Sequence, residues 1–309
     1  MPAIGIVIVT YNSEAVIDPC LDAALRSGAA IVVVDNASSD GTRAAVAGRG
    51  VRLLANDSNL GFAKAVNQGF AVLNCPYVLL LNPDAVLKGG LEPLREACDL
   101  PGAAGAGGLL LGADGRPQAG FMVRQLPTAA VLVMEALLLN RLWPGNPINA
   151  AYRGLRLDYA VEQRVEQPAG AFLMIRRAVW EELGGFDERF WPLWFEDVDF
   201  CRRALARGYC FYYVPSAVAI HTGGHSIPAL TLEMRRIYWY RSLLGYAAKH
   251  FHPLGVRAVC AAVIIGSFLR AAVDALLAGS LRPFAAYGKV ARLAGRVLLR
   301  RIPANADLV

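Results

Sequence analysis

A chain of 309 residues, 55% hydrophobic and 18% charged, can bury a substantial core, as two domains or as one large α/β domain with an appendage. Its mean hydropathy of +0.38 is high for a soluble enzyme, yet its apolar runs are too short for a polytopic membrane protein. The net charge of +6 is uneven: residues 228–309 carry 12 Lys+Arg against 3 Asp+Glu, which leaves residues 1–227 at −3 and suits a C-terminal segment that meets phosphate or anionic lipid.

The N-terminus enters a strand-like run at once (AIGIVIVTYN), without the basic and apolar regions of a signal peptide. Six cysteines without a CxxC pair suggest neither zinc nor a disulfide framework, and a cytoplasmic location is expected. The runs at 4–9 (IGIVIV), 31–34 (IVVV) and 77–81 (YVLLL) are the pattern of strands buried on both faces of a parallel sheet. Helix-like segments at 15–27, 41–48 and 62–73 lie between them, giving the β-α alternation of a Rossmann-like nucleotide-binding half. Ligands of such sheets bind beyond the carboxyl ends of the strands, which here read Thr10-Tyr11-Asn12, Asp35 to Asp40, and Asn82-Pro83-Asp84.

Residues 102–167 are Gly- and Pro-interrupted around an apolar helix-like piece at 129–139, and are read as a variable acceptor-side region. Order returns with AGAFLMIRR, GGFD, FWPLWFEDVDFCRRALARG and a short strand CFYYVP. From 228 onward the pattern is helical. Its apolar stretch at 258–269 ends at Arg270 and is shorter than the about 20 residues needed to span a bilayer, so a spanning helix is not expected. Lys289, Arg292, Arg296 and Arg300 fall on one helical face, as in a helix lying at a membrane interface.

Several residues are candidates for chemistry, each with a plainer alternative. Asp35, beyond a strand and followed by small polar residues, could accept from a base or ribose, while the same DNASSDGT segment could simply cap the next helix. Asp84, with Asn82 secondary, sits where a carboxylate would hold Mg²⁺ or Mn²⁺ beside substrate phosphate, unless NPD is only a turn. Glu196, Asp197 and Asp199 cluster in an apolar setting with Trp194, which suits either a general base of raised pKa or an acidic first helical turn. His221 opens HTGGHS with His225 and Ser226, a Gly-rich loop suited to a metal or phosphate, although a loop histidine is more often a surface residue.

Taken in order, VIVTYNS, VVVDNASSDGT, NLGFAKAVNQG, LLLNPDA, GAFLMIRR, GGFDERF, FEDVDFCRR and HTGGHS resemble the family 2 glycosyltransferases of the GT-A fold over residues 4–226. The LPT at 126–128 and the basic helical tail resemble the cell-wall and O-antigen rhamnosyltransferases within that family. The resemblance implies a GT-A domain over 1–227, with a nucleotide-sugar half at 1–101 and an acceptor half at 102–227, and a helical membrane-associating extension over 228–309. It places Thr10, Tyr11, Asn12 and Asp35 at the nucleotide, and Asn59, Gly61, Phe62, Asn67 and Asn82 around the ribose and diphosphate. Asp84 and His221 would hold Mg²⁺ or Mn²⁺, with Asn82 departing from the family's DxD motif. Asp197, paired with Glu196, would be the base of an inverting transfer, and Trp194, Asp199, His225 and Ser226 would face the acceptor or phosphate.

The function so implied is transfer of L-rhamnose from dTDP-L-rhamnose to a saccharide or polyprenyl-diphosphate-linked saccharide, at the cytoplasmic face of an anionic membrane. A UDP-sugar donor, galactofuranose or N-acetylhexosamine, is the alternative within the family. A catalytically silent sugar-binding protein would not need the Asp84, Asp197 and His221 set, and a nucleic-acid partner would leave the acidic cluster without a role. No GxGxxG follows the first strand, which argues against a nicotinamide enzyme.

Overall fold

In the computed structural model, which describes residues 2–223 and 231–299, the β-branched runs form strands and the segments between them form helices. The first part of the chain runs β1 (Ile4–Thr10), α1 (Glu14–Arg26), β2 (Ala30–Asp35), α2 (Thr42–Val46), β3 (Arg52–Ala55), α3 (Phe62–Val72), β4 (Tyr77–Leu81), β5 (Ala85–Leu87) and α4 (Glu92–Asp99). Next come β6 (Ala103–Leu111), β7 (Val123–Arg124), α5 (Ala129–Ala136), α6 (Leu139–Leu142), α7 (Pro147–Tyr152), β8 (Gln163–Val165) and β9 (Gln167–Pro168). The remainder is β10 (Phe172–Arg176), α8 (Arg177–Leu183), α9 (Glu196–Ala206), β11 (Cys210–His221), α10 (Leu232–His250), α11 (Pro253–Ala278) and α12 (Arg282–Leu299).

The main sheet has the order β3-β2-β1-β4-β10-β6-β11-β5, with β8 beside β11. Its first half is parallel: β1 pairs with β2 and β4, and β2 with β3. β10 then runs antiparallel between β4 and β6. Period-two alternation sends successive side chains of β1 to opposite faces. Ile6 and Ile8 join a core with Leu21 of α1 and Leu94 of α4, while Val7 joins a second with Val66 and Phe70 of α3, Trp180 of α8 and Phe200 of α9. Each such side chain, once fully buried, contributes about 1.5–3 kcal/mol. α3 approaches β1 so closely that a Cβ at Gly69 would lie 2.5 Å from Val7 Cγ1.

The chain divides into two compact units. The first comprises 1–126, 153–188 and 196–228; the second comprises 127–152, 189–195 and 229–309. Residues 127–152, which the sequence pattern grouped with the acceptor half, thus pack with the C-terminal helices. The cause is visible in α5, whose apolar residues Val131 and Leu132 are buried and whose Ala129 meets Gly255 of α11.

Two elements are longer than their sequence patterns suggested. The strand read as CFYYVP extends over twelve residues to His221, because β6, β8 and β5 give its backbone partners on both sides. α11 is 26 residues long and is the one described helix long and apolar enough to cross a membrane, contrary to the expectation from the 258–269 stretch. Arg270 and Asp274 end the apolar run in the sequence but not the helix, since both are bonded inward.

Candidate active site

Three clusters stand at the strand ends that the sequence marked. At the first, Thr10 ends β1 and Asp35 ends β2, adjacent in register and both fully buried. Thr10 Oγ1 donates to Asp35 Oδ1 (2.9 Å), Ser38 donates to both carboxylate oxygens, and Arg43 Nε donates to Oδ2 (2.6 Å). Burial works to raise the Asp35 carboxyl, but the bonds from Ser38, Arg43 and Thr10 outweigh it and hold it below the ordinary value. Four donors fill the lone-pair sites of one carboxylate, so Asp35 first of all organises its own loop. Asn12, at φ 51°, accepts from Ser39 N (2.8 Å) through its side chain and donates its own N–H to Ser38 Oγ (2.9 Å). The Tyr11 N–H donates to Ser13 Oγ (3.3 Å). The β1 and β2 loops are thereby tied into one rim.

Beside that rim, Asn59 Oδ1 accepts from the N–H of Gly61 (2.9 Å), which precedes Phe62 at the start of α3 with φ 87°. Asn67 is committed elsewhere: its side chain exchanges bonds with both backbone groups of Phe186 (3.0 Å each) and donates to Glu188. Asn67 therefore fixes the GGFD turn, where a Cβ on Gly185 would lie 2.8 Å from its Oδ1.

The second cluster gathers Asn82, Asp84 and His221. Asp84 leads into β5, and β5 pairs antiparallel with the end of β11, so Ala85 stands opposite His221. His221 Nε2 lies 3.4 Å from Asp84 Oδ1 and 3.3 Å from Asn82 Nδ2, with Asp84 and His221 only 6% and 4% exposed. Gln118 completes the group, with its Nε2 donating to the His221 carbonyl (2.8 Å) and its Oε1 2.9 Å from His221 Nδ1. A backbone carbonyl can only accept, so the amide nitrogen must face it and Oε1 must face the ring. Nδ1 then donates to Gln118, which leaves Nε2 facing Asp84 and Asn82. Phe121 stacks on the ring with centroids 5.2 Å apart.

This set of side chains, a carboxylate, an imidazole nitrogen and an amide, fits a divalent cation that keeps other positions for phosphate oxygens. The described residues contain no group of three His, Cys, Asp or Glu placed to hold a metal by themselves. Burial and the Asp84 charge push the Cys20 thiol up to about 12. Gln118→Leu is expected to free the imidazole ring and weaken Mn²⁺ binding about 10- to 100-fold. Isothermal titration with MnCl₂ in the presence of a nucleoside diphosphate measures this.

The third cluster lies at the start of α9. Asp197 remains partly exposed, and its Oδ2 accepts from Gly170 N (3.0 Å) and Gln167 Nε2 (3.2 Å) while Oδ1 accepts from Val198 N (2.8 Å). Burial pushes the Asp197 carboxyl above its ordinary value, opposed by the N–H groups of Gly170 and Val198 and by the Arg124 charge. Glu196 is 6% exposed; burial, then the Asp197 charge beside it, raises it much further, and its Oε2 has no hydrogen-bond partner among the described residues. Of the two, Glu196 is the more strongly raised, which favours the negative charge residing on Asp197. Trp194 and Phe195 precede the pair with φ of 75° and 72°, conformations that cost non-glycine residues about 1–3 kcal/mol each and gather at functional sites.

Asp199 is fully buried and bonded to Arg203 Nε (2.8 Å), whose other nitrogens donate to the carbonyls of Leu183 and Gly185. Its oxygens hold the α8–α9 packing together and offer no surface to an acceptor. Trp194 packs edge-on against Trp239 of α10 with centroids 5.5 Å apart. His225 and Ser226, and Arg300 of the basic face, lie outside the described residues. Gln118, Gln167, Gly170 and Arg43 were not singled out in the sequence; each acts across 8 to 103 positions, and a single sequence carries no signal for such pairs.

Comparison with known proteins decides the family. Residues 5–183, more than half of the chain, match Glycosyl transferase family 2. The chain belongs to glycosyltransferase family 2. Residues 159–299 also match Glycosyl transferase family group 2, which brings the C-terminal helices within the likeness. N-acetylglucosaminyl-diphospho-decaprenol L-rhamnosyltransferase of Mycobacterium tuberculosis is 34% identical over 241 residues, covering 72% of this chain and 76% of that protein. Rhamnosyltransferase WbbL of Escherichia coli is 24% identical over 178 residues, covering 57% and 63%. Among solved structures, the mannosyltransferase PcManGT of Pyrobaculum calidifontis in complex with GDP-Man and Mn²⁺ gives a TM-score of 0.52 at 19% identity, covering 95% of this chain and 80% of that one. S. aureus TarS 1-349 with UDP-GlcNAc gives 0.54 at 15%, covering 96% and 81%. The protein is a glycosyltransferase with the GT-A fold and a C-terminal helical extension.

Proposed function

We propose that this glycosyltransferase is inverting and metal-dependent, and that it moves L-rhamnose from dTDP-L-rhamnose to a saccharide carried on a polyprenyl diphosphate. The carrying observation is the 34% identity to a decaprenyl-linked L-rhamnosyltransferase across three quarters of that protein's length. Asp197 is the base. The acceptor hydroxyl gives its proton to the Asp197 carboxylate as its oxygen bonds to the anomeric carbon, and the opposite bond to the diphosphate breaks with its electron pair leaving on the nucleotide. Attack in line with the leaving group inverts the anomeric centre.

Two features prepare Asp197 for this. Burial raises its carboxyl, which makes it a stronger base than a free carboxylate, and the stronger rise at Glu196 favours a single negative charge on the pair. Gly170 and Val198 hold the carboxylate in one orientation through backbone bonds that a substrate does not have to build. Asn82, Asp84 and His221 would hold Mg²⁺ or Mn²⁺, which when bound neutralises the charge developing on the departing diphosphate. The rim formed by Thr10, Tyr11, Asn12 and Asp35, with Asn59, Gly61 and Phe62, would shape the nucleotide side. The enzyme would work at the cytoplasmic face of an anionic membrane, where its lipid-linked acceptor resides, with the basic C-terminal unit toward the lipid.

A thermal-shift screen tests the donor. dTDP-L-rhamnose with Mn²⁺ is expected to raise the melting temperature more than UDP-galactofuranose or UDP-N-acetylglucosamine, because stabilisation grows with ligand concentration over Kd. A larger shift with a UDP-sugar would reassign the donor and leave the family unchanged.

A further inference from the structure

The outward face of α11 is an apolar stripe that no other described residue covers. Leu254, Ile265, Phe268, Leu269, Leu276 and Leu277 recur at helical spacing and are all exposed, the last two at 84% and 80%, with exposed alanines filling the gaps. At 1.5 Å per residue the helix is about 39 Å long, far larger than an isolated surface leucine explains. At its C-terminal end the stripe turns a corner onto Leu281, 78% exposed, and Phe284.

The opposite face of the same helix is occupied: Val259, Cys260, Val263 and Ala271 are buried against protein, and Arg270 and Asp274 are bonded on that side. The Arg270 guanidinium donates to the carbonyls of Glu135 (2.7 Å) and Ala136 at the end of α5, and lies over the Tyr240 ring. Asp274 accepts from Tyr287 of α12 (2.8 Å). Gly266 passes so near α5 that a Cβ there would sit 1.9 Å from the Ala136 carbonyl oxygen. α11 is therefore bound into one unit with α5, α10 and α12. A bilayer crossing would carry Arg270, Asp274 and the exposed Arg292 and Arg296 of α12 into hydrocarbon. Length and hydropathy alone permit a span; the packing opposes it.

Charge identifies what covers the stripe. Arg257 flanks its N-terminal end and Arg282 stands between Leu281 and Phe284 at the other, and residues 231–299 hold ten Lys+Arg against two Asp+Glu. Two copies paired antiparallel along α11 would bring Arg257 of one beside Arg282 of the other, a repulsive match. Anionic headgroups satisfy both ends while acyl chains cover the middle.

We propose that the outward face of α11, with the Leu281–Phe284 corner, enters an anionic bilayer at the headgroup boundary and lies in its plane. This deepens the membrane-face reading above and rests on it for location, but on neither donor nor acceptor. It also reassigns the principal contact: the basic residues of α12 attract, and the apolar stripe of α11 inserts.

The experiment is flotation of the full-length protein with vesicles of phosphatidylcholine and phosphatidylglycerol (7:3). The wild type is expected to float. Ile265→Glu/Leu276→Glu/Leu277→Glu is expected to bind at least tenfold more weakly with an unchanged melting temperature, the three sites being exposed. Arg292→Ala/Arg296→Ala is expected to bind only a few-fold more weakly. Undiminished flotation of the triple variant overturns the proposal, as does a wild-type dimer in light scattering that the triple variant dissociates. For depth, a fluorophore is placed at Ala258→Cys, Ile265→Cys or Leu276→Cys in a Cys210→Ser background, the other five cysteines being buried. Equal quenching by a shallow nitroxide lipid at all three supports the in-plane helix, and a graded depth along it refutes that placement. Transfer to a water-soluble acceptor should be equal for wild type and triple variant; its failure in both, with flotation intact, would count against the proposed donor or acceptor alone.

Discussion

Asp197→Asn is expected to lower kcat for sugar transfer by about 10²- to 10⁴-fold, the range a positioned general base contributes, while donor Kd changes by no more than a few-fold. Asparagine keeps the size of the side chain and an acceptor for one of the two backbone N–H groups, those of Gly170 and Val198. It cannot take a proton from the acceptor. Stability should not fall by more than a few degrees, because the sign of the linkage is favourable. An acid whose folded pKa lies above its unfolded value costs the folded state stability once pH rises past both, and asparagine removes that cost at neutral pH.

The same displacement predicts the pH profile. The base must be ionised, so kcat/KM falls as pH is lowered through the raised Asp197 pKa, and the acid limb lies above the ordinary aspartate value of 3.8. In Asp197→Asn that limb should be absent from the residual rate. A limb of equal position in wild type and variant, or transfer by the variant within tenfold of wild type, would remove Asp197 from the base role.

Asp84→Asn is the second large effect, expected to reduce transfer by about 10³-fold or more, since charge neutralisation by a bound metal supplies several kcal/mol and each 1.36 kcal/mol is tenfold. The amide preserves volume, and the local backbone is secured independently by the Thr222 N–H to Asp84 carbonyl bond (3.2 Å) and the β5–β11 pairing. Loss of activity should therefore accompany weaker Mn²⁺ binding and not unfolding. Titration calorimetry with Mn²⁺ and a nucleoside diphosphate separates the two. Unchanged Mn²⁺ affinity in Asp84→Asn would place the cation elsewhere.

The parallel half of the sheet was legible because its signals are local. IGIVIV, IVVV and YVLLL are each one strand long, and the polar residues that end them lie next in sequence, so contiguous residues suffice to place Thr10, Asp35 and Asp84 at the sheet edge. The acidic group at 196–199 was legible as a cluster, but not its division of labour. Asp197 is held at a partly open surface by Gly170, whereas Asp199, two positions on, is turned inward to Arg203. That difference is a matter of helical phase and of what packs against each side.

The sequence by itself determined the strands of the parallel half, the carboxylates at their ends and, through eight short motifs in order, the family, but not the central strand β6 inside the Gly-interrupted segment 102–167. Those are properties of neighbouring residues, where period, turn chemistry and strand length are enough. Tertiary structure alone decided that Gln118 orients His221, that Asn67 serves the GGFD turn, and that Arg270 and Asp274 face protein while the leucine-rich stripe of α11 faces outward. Each depends on a partner distant in the chain, and burial and hydrogen-bond satisfaction are settled only when such partners meet.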